Sequence, residues 1–455
     1  MAFLDDSYLL TSDTARGLFE AVKDLPFIDP HNHADVKEIR VNANYQDIWQ
    51  VEAATDHYVW EMMRKRGVPE THVTGPAGNE EKWLALAGVF DELAGSPSYE
   101  WIHLDLKRRL GIADVIGADT GQAIWDAAKK ILAKPAFKPQ ALLEDMKVEV
   151  IGSTDDPVDD LADHKALRDA GIYTKVHPTF RPDKAMNIFK PDWLDYVHRL
   201  EDRFGAKFKH VSDMLDALRQ AHDYFAEAGA LASDHGVEVP YAYQVDEQDA
   251  DDIFKRAYAG KPLDEDDVVG FLSFMLNEMA ELDAEKGWVF QLHLGCARDV
   301  RDTLKNGIGP DSGGDISDHM IDIVAPLNPL LNRFDGRLKT VLYSLDPNHQ
   351  TTLAALCRAY GEHVNLGSAW WLNDSPVGMR RQLEYIGSVD LLANMAGMVS
   401  DSRKLLSYGS RNEMFRRTLC DVVGAYVDRG QMPVRVAEKL VTKLAYERPK
   451  QLFGF

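Results

Sequence analysis

The stretch LPFIDPHNH at residues 25–33 joins a short apolar run to a cluster of polar side chains that can carry chemistry. A short apolar run of this kind is typical of a strand that is buried on both faces. Seven further segments follow the same pattern: VEVIGSTDD (148–156), YTKVHPTF (173–180), VEVPYAYQV (237–245), WVFQLHLG (288–295), KTVLYSLDP (339–347), HVNLGSAWW (363–371) and LLANMAGMVSDSR (391–403). The sequence therefore predicts eight strands of one kind.

Helix-like stretches separate most of these segments, among them DDVVGFLSFMLNEMAELDAEKG at 266–287 and PNHQTTLAALCRAYGE at 347–362. Buried strands that alternate with amphipathic helices are the pattern of parallel βαβ units. Eight such units, with polar residues at the carboxyl ends of the strands, predict an α/β protein with a TIM-type (β/α)8 barrel. An open, doubly wound sheet would give the same alternation and is the alternative.

The spacing between the first two predicted strands is abnormal, because it exceeds a hundred residues and reads as helical. We predict a single catalytic barrel over 1–455, with a helical insertion at 40–145 that helps to wall the barrel mouth. A second helix-rich segment separates the third and fourth predicted strands. Neither segment is flanked by a Gly/Ser-rich or Pro-rich linker, which favours one body over two free domains.

The composition excludes several classes of protein. Of 455 residues, 45% are hydrophobic and 27% charged, which is typical of a globular chain. The net charge of -22 disfavours nucleic acid and anionic membranes as partners, although a few arginines in a pocket can still bind a small anion. The three cysteines are too few for a disulfide framework. The acidic N-terminus is unlike a signal peptide and no apolar run is long enough to span a bilayer, so we expect a soluble, cytoplasmic protein.

His31 and His33 close the first predicted strand and lie two residues apart. Side chains at i and i+2 of a strand point to the same side, so both imidazoles can reach one point. Imidazole nitrogens at about 2.0–2.1 Å suit zinc or a similar divalent ion. Two loop histidines, each satisfied by hydrogen bonds, are the alternative.

Two further residues strengthen the prediction of a metal site. His293 lies in the fifth predicted strand, and Asp401 closes the eighth, which neighbours the first strand in a closed barrel. A carboxylate at Asp401 could complete the site of His31 and His33 and could also act as a base. The alternatives are a core histidine bonded to a backbone carbonyl for His293, and a helix N-cap for Asp401.

The sequence resembles the uronate isomerases of the amidohydrolase superfamily nearly from end to end. The segments that carry the resemblance are FIDPHNH (27–33), DHYVWEMMRKRGV (56–68), PTFRPDKAMNI (178–188), GWVFQLHLGCARD (287–299), GPDSGGD (309–315), LGSAWWLNDS (366–375) and GMVSDSRKLLSYGSRNEMFRR (397–417). The resemblance implies a distorted (β/α)8 barrel. It also implies interconversion of D-glucuronate with D-fructuronate and of D-galacturonate with D-tagaturonate.

The resemblance also implies roles for individual residues. A divalent metal, with zinc as the expected ion, would be held by His31, His33 and Asp401, with His293 close by. The isomerisation would depend on this metal less absolutely than hydrolysis does in hydrolytic relatives. His57 and Tyr58 match a His-Tyr pair near the substrate. Two arginines match those that surround the sugar acid: Arg181 and Arg403.

Aldose–ketose isomerisation by proton transfer passes through an enediol and needs a base near C2. We expect Asp401 to be the principal base, and His57 and Tyr58 to be the other proton carriers. Trp370 and Trp371 could cover the apolar face of a sugar or could simply belong to the core.

The alternative function is a mononuclear metal-dependent hydrolase. The absence of a Lys at the fourth predicted strand end, VPYAYQV, and of a second His at the sixth, LYSLDP, argues against a two-metal hydrolase. The expected partner is a hexuronate. The sequence leaves open the preferred uronate, the native metal and whether the protein forms a homo-oligomer.

Overall fold

The computed structural model describes residues 3–455 and contains two parallel sheets. The first has the order β1-β2-β3 and the second the order β4-β5-β8-β9, and a short antiparallel pair joins β6 to β7. The strands are β1 Phe27–Asp29, β2 Val148–Gly152, β3 Lys175–His177, β4 Ala232–Val237, β5 Val289–Leu294, β6 Cys296–Ala297, β7 Ile316–Ser317, β8 Lys339–Ser344 and β9 Val364–Leu366. The prediction of an α/β protein with parallel strands is confirmed.

Phe180 joins the two parallel sheets, because it forms parallel bridges to Asp155 on one side and to Ser233 on the other. Strand β5 lies inside the second sheet and pairs with a neighbouring strand on each edge. All six of its residues are buried, and it is hydrogen-bonded to β4 and β8 in register over its whole length. A strand buried in this way is covered on both faces, as in other parallel sheets.

The predicted fourth strand at 237–245 is wrong, because the strand ends at Val237. Pro240 lies within the predicted segment and has no N–H for a sheet hydrogen bond. The observed strand has the polar sequence ASDHGV, in which Ser233, Asp234 and His235 are all buried. These side chains find hydrogen-bond partners inside the protein, so their polarity does not prevent burial.

The predicted eighth strand at 391–403 is also absent. This segment has a 3-10 turn at Leu392–Asn394 and then irregular backbone. The segment still bonds to both neighbours. Ala396 N–H donates to the Leu366 carbonyl at 3.0 Å, and Asp401 N–H donates to the His31 carbonyl at 3.2 Å. A regular ladder does not form because side chains take other N–H groups: Ser400 N–H donates to Asp29 Oδ1 at 2.9 Å.

Helices fill most of the remaining chain. After α1 Asp13–Val22, seven helices lie between β1 and β2: α2 Val36–Val41, α3 Ile48–Glu52, α4 His57–Lys65, α5 Asn79–Ala87, α6 Pro97–Asp105, α7 Gly121–Leu132 and α8 Pro139–Asp145. Those from β2 to β5 are α9 Ala162–Ala170, α10 Asp183–Met186, α11 Trp193–Phe204, α12 Val211–Ala228, α13 Glu247–Tyr258 and α14 Glu265–Lys286. The rest are α15 Asp302–Gly307, α16 Val324–Arg333, α17 Gln350–Tyr360, α18 Pro376–Val389, α19 Ser407–Asp428, α20 Val434–Thr442 and α21 Arg448–Phe453.

The helices between β1 and β2 share a hydrophobic core with the first sheet. Trp83, Phe90 and Ile102 from this region cluster with Phe27 of β1 and Val148 of β2. Each of these side chains is nearly fully buried, so the core anchors the helical region to β2 and to β1, after which His31 and His33 follow. Among residues 3–455, no helix is long and apolar enough to cross a membrane.

Candidate active site

A cavity of about 610 Å³ lies where the carboxyl ends of the parallel strands meet the helices that follow β1. A cavity of this size is typical of a small-molecule site. Its lining includes most of the residues singled out in the sequence: His31, His33, His57, Arg181, His293, Trp370, Trp371, Asp401 and Arg403. Asp311 of the GPDSGGD loop lines it as well.

Asp401 is the residue at which the predicted site converges. Its Oδ1 lies 3.1 Å from His31 Nε2 and 3.2 Å from His33 Nε2, and its Oδ2 accepts a hydrogen bond from Trp370 Nε1 at 2.8 Å. Burial opposes ionisation of this carboxyl, but the bonds from the two histidines outweigh burial and hold its pKa well below the usual range. Asp401 is therefore a carboxylate at neutral pH.

The backbone at Asp401 has a φ of 49°, in the left-handed region that residues other than glycine rarely adopt. Such a conformation costs about 1–3 kcal/mol and persists where surrounding contacts impose it. The N-cap alternative for Asp401 is wrong, because the helix that follows begins only at Ser407 and Leu406 is its cap residue.

His31, His33 and Asp401 form a group that could hold a metal ion. Two ligand atoms bound to one tetrahedral zinc at about 2.0–2.1 Å lie roughly 3.3 Å apart. The two histidine-to-carboxylate separations of 3.1 and 3.2 Å match that value. The donor set of two imidazoles and one carboxylate also leaves a position for water or substrate, as catalytic zinc sites do.

Asp234 of β4 is a second centre of charge in the site, and the sequence analysis missed it. Its Oδ1 lies 2.7 Å from His293 Nδ1, and its Oδ2 lies 3.0 Å from Arg181 Nη1 and 3.7 Å from His31 Nδ1. Burial opposes its ionisation, but Arg181 and the two histidines hold its pKa well below the usual range. The bond to Asp234 rules out the alternative for His293, a core histidine bonded to a backbone carbonyl, and it leaves His293 Nε2 without a partner.

The three arginines in the cavity differ in how far their charge is neutralised. Arg181 is held between two carboxylates, because its Nε also lies 2.9 Å from Asp183. Arg403 is less constrained: its side chain is 30% exposed, and its ion pair with Asp311 is 3.8 Å long. The Arg403 guanidinium is therefore available to bind an anionic ligand, whereas the Arg181 guanidinium is already paired with two carboxylates.

Arg298 also lines the cavity and was missed, although it lies in the segment GWVFQLHLGCARD. Its guanidinium lies 3.1 Å from Asp315 and packs over the Trp371 ring at 5.6 Å from the centroid. Its position shortly after β5, at the mouth of the predicted barrel, is the signal that could have identified it.

His57 and Tyr58 begin helix α4 and lie on different sides of the cavity wall. Asp56 caps this helix, since its Oδ1 accepts a hydrogen bond from Tyr58 N–H at 2.9 Å. His57 lines the cavity, whereas Tyr58 stacks on His57 with ring centroids 4.8 Å apart and is absent from the lining. Burial raises the pKa of Tyr58 well above its usual range, so its hydroxyl stays protonated.

We expect the His57 imidazole to stay neutral across physiological pH, because burial lowers its pKa to about 4. The neutral form can accept a proton and becomes charged only when the pH falls to about 4. In an NMR titration, the ring resonance that disappears in His57→Gln should therefore not shift between about pH 5.5 and 8. A midpoint near 6.5 for that resonance would contradict this description.

Comparison with known proteins identifies close relatives. The profile of the glucuronate isomerase family matches residues 1–453. A uronate isomerase from Thermotoga neapolitana is 49% identical over 451 residues, covering 99% of each chain. The crystal structure of uronate isomerase from Thermotoga maritima has a TM-score of 0.98 at 49% identity and covers 100% of both chains. That of glucuronate isomerase from Caulobacter crescentus has a TM-score of 0.95 at 30% identity, covering 99% of this chain and 97% of that one.

Proposed function

The chain belongs to the uronate isomerase family, and from this we propose that it interconverts D-glucuronate with D-fructuronate, and D-galacturonate with D-tagaturonate, by proton transfer through an enediol. The observation that best supports the chemistry is the Asp401 carboxylate. It is held by two imidazoles and an indole N–H and lies in a cavity that also contains Arg403 and His57. A base, a second proton carrier and an anion-binding group thus share one site.

We assign the substrate carboxylate to Arg403 and Arg298, because both line the cavity and are paired less closely than Arg181. The carboxylate contacts are 2.9 and 3.0 Å for Arg181, 3.1 and 3.6 Å for Arg298, and 3.8 Å for Arg403. A guanidinium can bind a carboxylate through two parallel hydrogen bonds, which would orient the sugar chain. Arg181 then acts mainly by fixing Asp234. Trp371 lines the cavity beneath Arg298, where its ring can cover an apolar face of the sugar.

In the proposed reaction, Asp401 removes the C2 proton of the open-chain aldose while O1 gains a proton. The resulting enediol then loses the proton of O2 and gains one at C1, which gives the ketose. The neutral His57 imidazole can accept and return the hydroxyl protons. We assign a supporting role to Tyr58, whose protonated ring stacks on His57, and we place His293 close to O1 and O2 through its unpartnered Nε2.

We propose that the bound ion is zinc, held by His31, His33 and Asp401. When bound, the ion would supply a Lewis acid that polarises a substrate oxygen. Asp401 Oδ1 lies beside Nε2 of both histidines and would be the ligand oxygen, while Oδ2 stays bonded to Trp370. The family resemblance suggests that the reaction depends on this ion less strictly than hydrolysis does.

Zinc analysis tests this site directly. We expect protein equilibrated with zinc and then dialysed to retain about one ion per chain, and His33→Ala to retain far less, because it removes one of three ligands. His198→Ala is the matched control, since His198 lies on helix α11 and is 44% exposed. Equal zinc retention by all three proteins would contradict the assignment.

We further propose that the strands and the irregular segment at 391–403 form one distorted (β/α)8 barrel, with 40–145 as a helical insertion in a single catalytic body. Two observations support closure. Phe180 bridges the two sheets, and the segment at 396–401 bonds to both Leu366 and His31. These contacts would place β9, the irregular segment and β1 side by side.

The mononuclear hydrolase is the weaker candidate. The observed fourth strand, ASDHGV, differs from the predicted one but also lacks a lysine. The absence of this lysine therefore still argues against a two-metal hydrolase. No histidine follows at the end of β8 within KTVLYSLDP. Family membership favours isomerisation over hydrolysis.

The expectations of a cytoplasmic location and of no nucleic-acid partner stay predictions. Whether the protein forms a homo-oligomer stays open.

A substrate comparison tests the proposed function. We expect the metal-replete protein to convert D-glucuronate or D-galacturonate to the ketose, which proton NMR detects. D-Glucose has the same ring as D-glucuronate without the carboxylate, and we expect its kcat/KM to be at least about 100-fold lower, because Arg403 and Arg298 in the cavity would lose their anionic partner. If neither uronate is converted, the mononuclear hydrolase becomes the better hypothesis.

A further inference from the structure

A buried ion cluster lies behind the cavity wall, and the proposed chemistry does not use it. The Lys404 ammonium lies 3.1 Å from Asp56 Oδ2 and 3.3 Å from Glu52 Oε2. All three side chains are at most 3% exposed, and none of them lines the cavity. Removing such charges from water costs several kcal/mol per ion, so a buried ion pair is weak evidence of stabilisation and its position needs another reason.

The anionic end of this cluster is attached to the helix that carries His57. Asp56 uses one carboxylate oxygen to cap helix α4 through Tyr58 N–H, while the other oxygen faces Lys404. An N-cap fixes the direction of the first helical turn. The position of the Asp56 carboxylate therefore sets the position of His57, the first residue of α4.

The cationic end is attached to the turn that carries Asp401. Lys404 follows Asp401 by three residues, and its N–H donates to Ser402 Oγ at 3.2 Å. Its carbonyl accepts from Ser402 Oγ at 3.0 Å and from Ser407 Oγ at 3.1 Å. Both backbone polar groups of Lys404 are thus hydrogen-bonded to Ser402 or Ser407, which fixes the Lys404 backbone relative to the Asp401 segment.

Resting on the proposed function, we infer that Lys404 is a positioning residue for the isomerisation, which fixes His57 relative to Asp401 through its ion pair with Asp56. The two proton carriers come from distant parts of the sequence. The ion pair between Lys404 and Asp56 connects the segment that carries Asp401 to the helix that carries His57, and neither residue of the pair lines the cavity. Proton transfer depends steeply on such distances, and a displacement of about 1 Å can lower a rate about 100-fold.

Glu52 and Asp56 differ in how their surroundings affect ionisation, which indicates which of them pairs with Lys404 as a carboxylate. Burial and the neighbouring Asp105 raise the pKa of Glu52 well above its usual range. Burial also opposes the ionisation of Asp56, but Lys404 and Arg411 outweigh it and lower the pKa of Asp56. Asp56 is also the nearer carboxylate, at 3.1 Å against 3.3 Å for Glu52, so we take Asp56 as the ionised partner of Lys404.

Three variants separate positioning from general stability. Lys404→Met and Asp56→Asn both remove the ion pair, and asparagine keeps the N-cap. We expect both to lower kcat about 10- to 100-fold with KM changed by less than about threefold. Glu52→Gln is the matched control, because Glu52 contacts the same ammonium but does not cap α4, and we expect its kcat to stay within about threefold of the wild type.

A double-variant cycle tests whether Lys404 acts through His57. In a His57→Gln background, Lys404→Met should cause little further loss of kcat, because the group that it positions is already gone. The inference is overturned if Lys404→Met retains wild-type kcat, if its effect is undiminished in the His57→Gln background, or if Glu52→Gln loses as much as Lys404→Met. Should Lys404→Met fail to fold, Asp56→Asn decides by the same criteria. A wild-type protein without isomerase activity would instead refute the proposed function.

Discussion

Asp401→Asn is expected to lower kcat by about 10³-fold, because the amide cannot accept the C2 proton and general base catalysis contributes on this scale. The replacement is nearly isosteric, so the hydrogen bond from Trp370 to the side-chain oxygen can persist. The bonds from His31 and His33 lose their anionic acceptor. We expect KM to change much less than kcat, since the carboxylate of the substrate is bound elsewhere. Steady-state kinetics with D-glucuronate measures both constants.

Loss of metal could produce part of the same effect, because Asp401 is also a proposed ligand. The matched control is metal-depleted wild-type protein, measured beside the variant with metal content and Tm determined on the same samples. We expect the depleted wild type to retain more activity than Asp401→Asn, since it still has the base. Equal activities in the two samples would reduce Asp401 to a metal ligand, and a loss below about tenfold in the variant would remove it as the base.

Arg403→Met should raise KM for uronates about 30-fold while changing kcat by less than about threefold. This corresponds to roughly 2 kcal/mol, the value of a charge-assisted hydrogen bond. The long ion pair with Asp311 leaves the Arg403 guanidinium available to the substrate carboxylate. Arg301→Met is the matched control, because Arg301 is exposed and does not line the cavity. Equal KM values for the two variants, or a loss confined to kcat, would contradict the assignment of Arg403.

The sequence predicted the parts of the site that lie next to a recognisable apolar run. The structure brings His31 and His33 to Asp401, although β1 ends at Asp29 and both histidines lie in the irregular backbone after it. The sequence also predicted β5 and β8, whose apolar runs are buried. Such features depend on a local pattern of apolar and polar residues, which can be recognised in a single sequence.

The residues that the sequence analysis missed depend on long-range partners. Asp234 lies in ASDHGV, a strand too polar to be recognised by its hydrophobicity, and it is buried only because Arg181 and His293 bind it. The segment before Asp401 reads as a strand, but Ser400 bonds to the Asp29 side chain and the ladder is broken. Similarly, nothing local shows that Lys404 reaches Asp56, because the two residues meet only after folding.

The most direct test of the proposed mechanism is isomerisation of D-glucuronate in deuterated water, with C1 and C2 followed by proton NMR. We expect the ketose to appear with deuterium at C1, because Asp401 and His57 line a cavity where their protons can exchange with solvent. A ketose that forms without deuterium at C1 would contradict proton transfer through an enediol and would favour an internal hydride shift from C2 to C1.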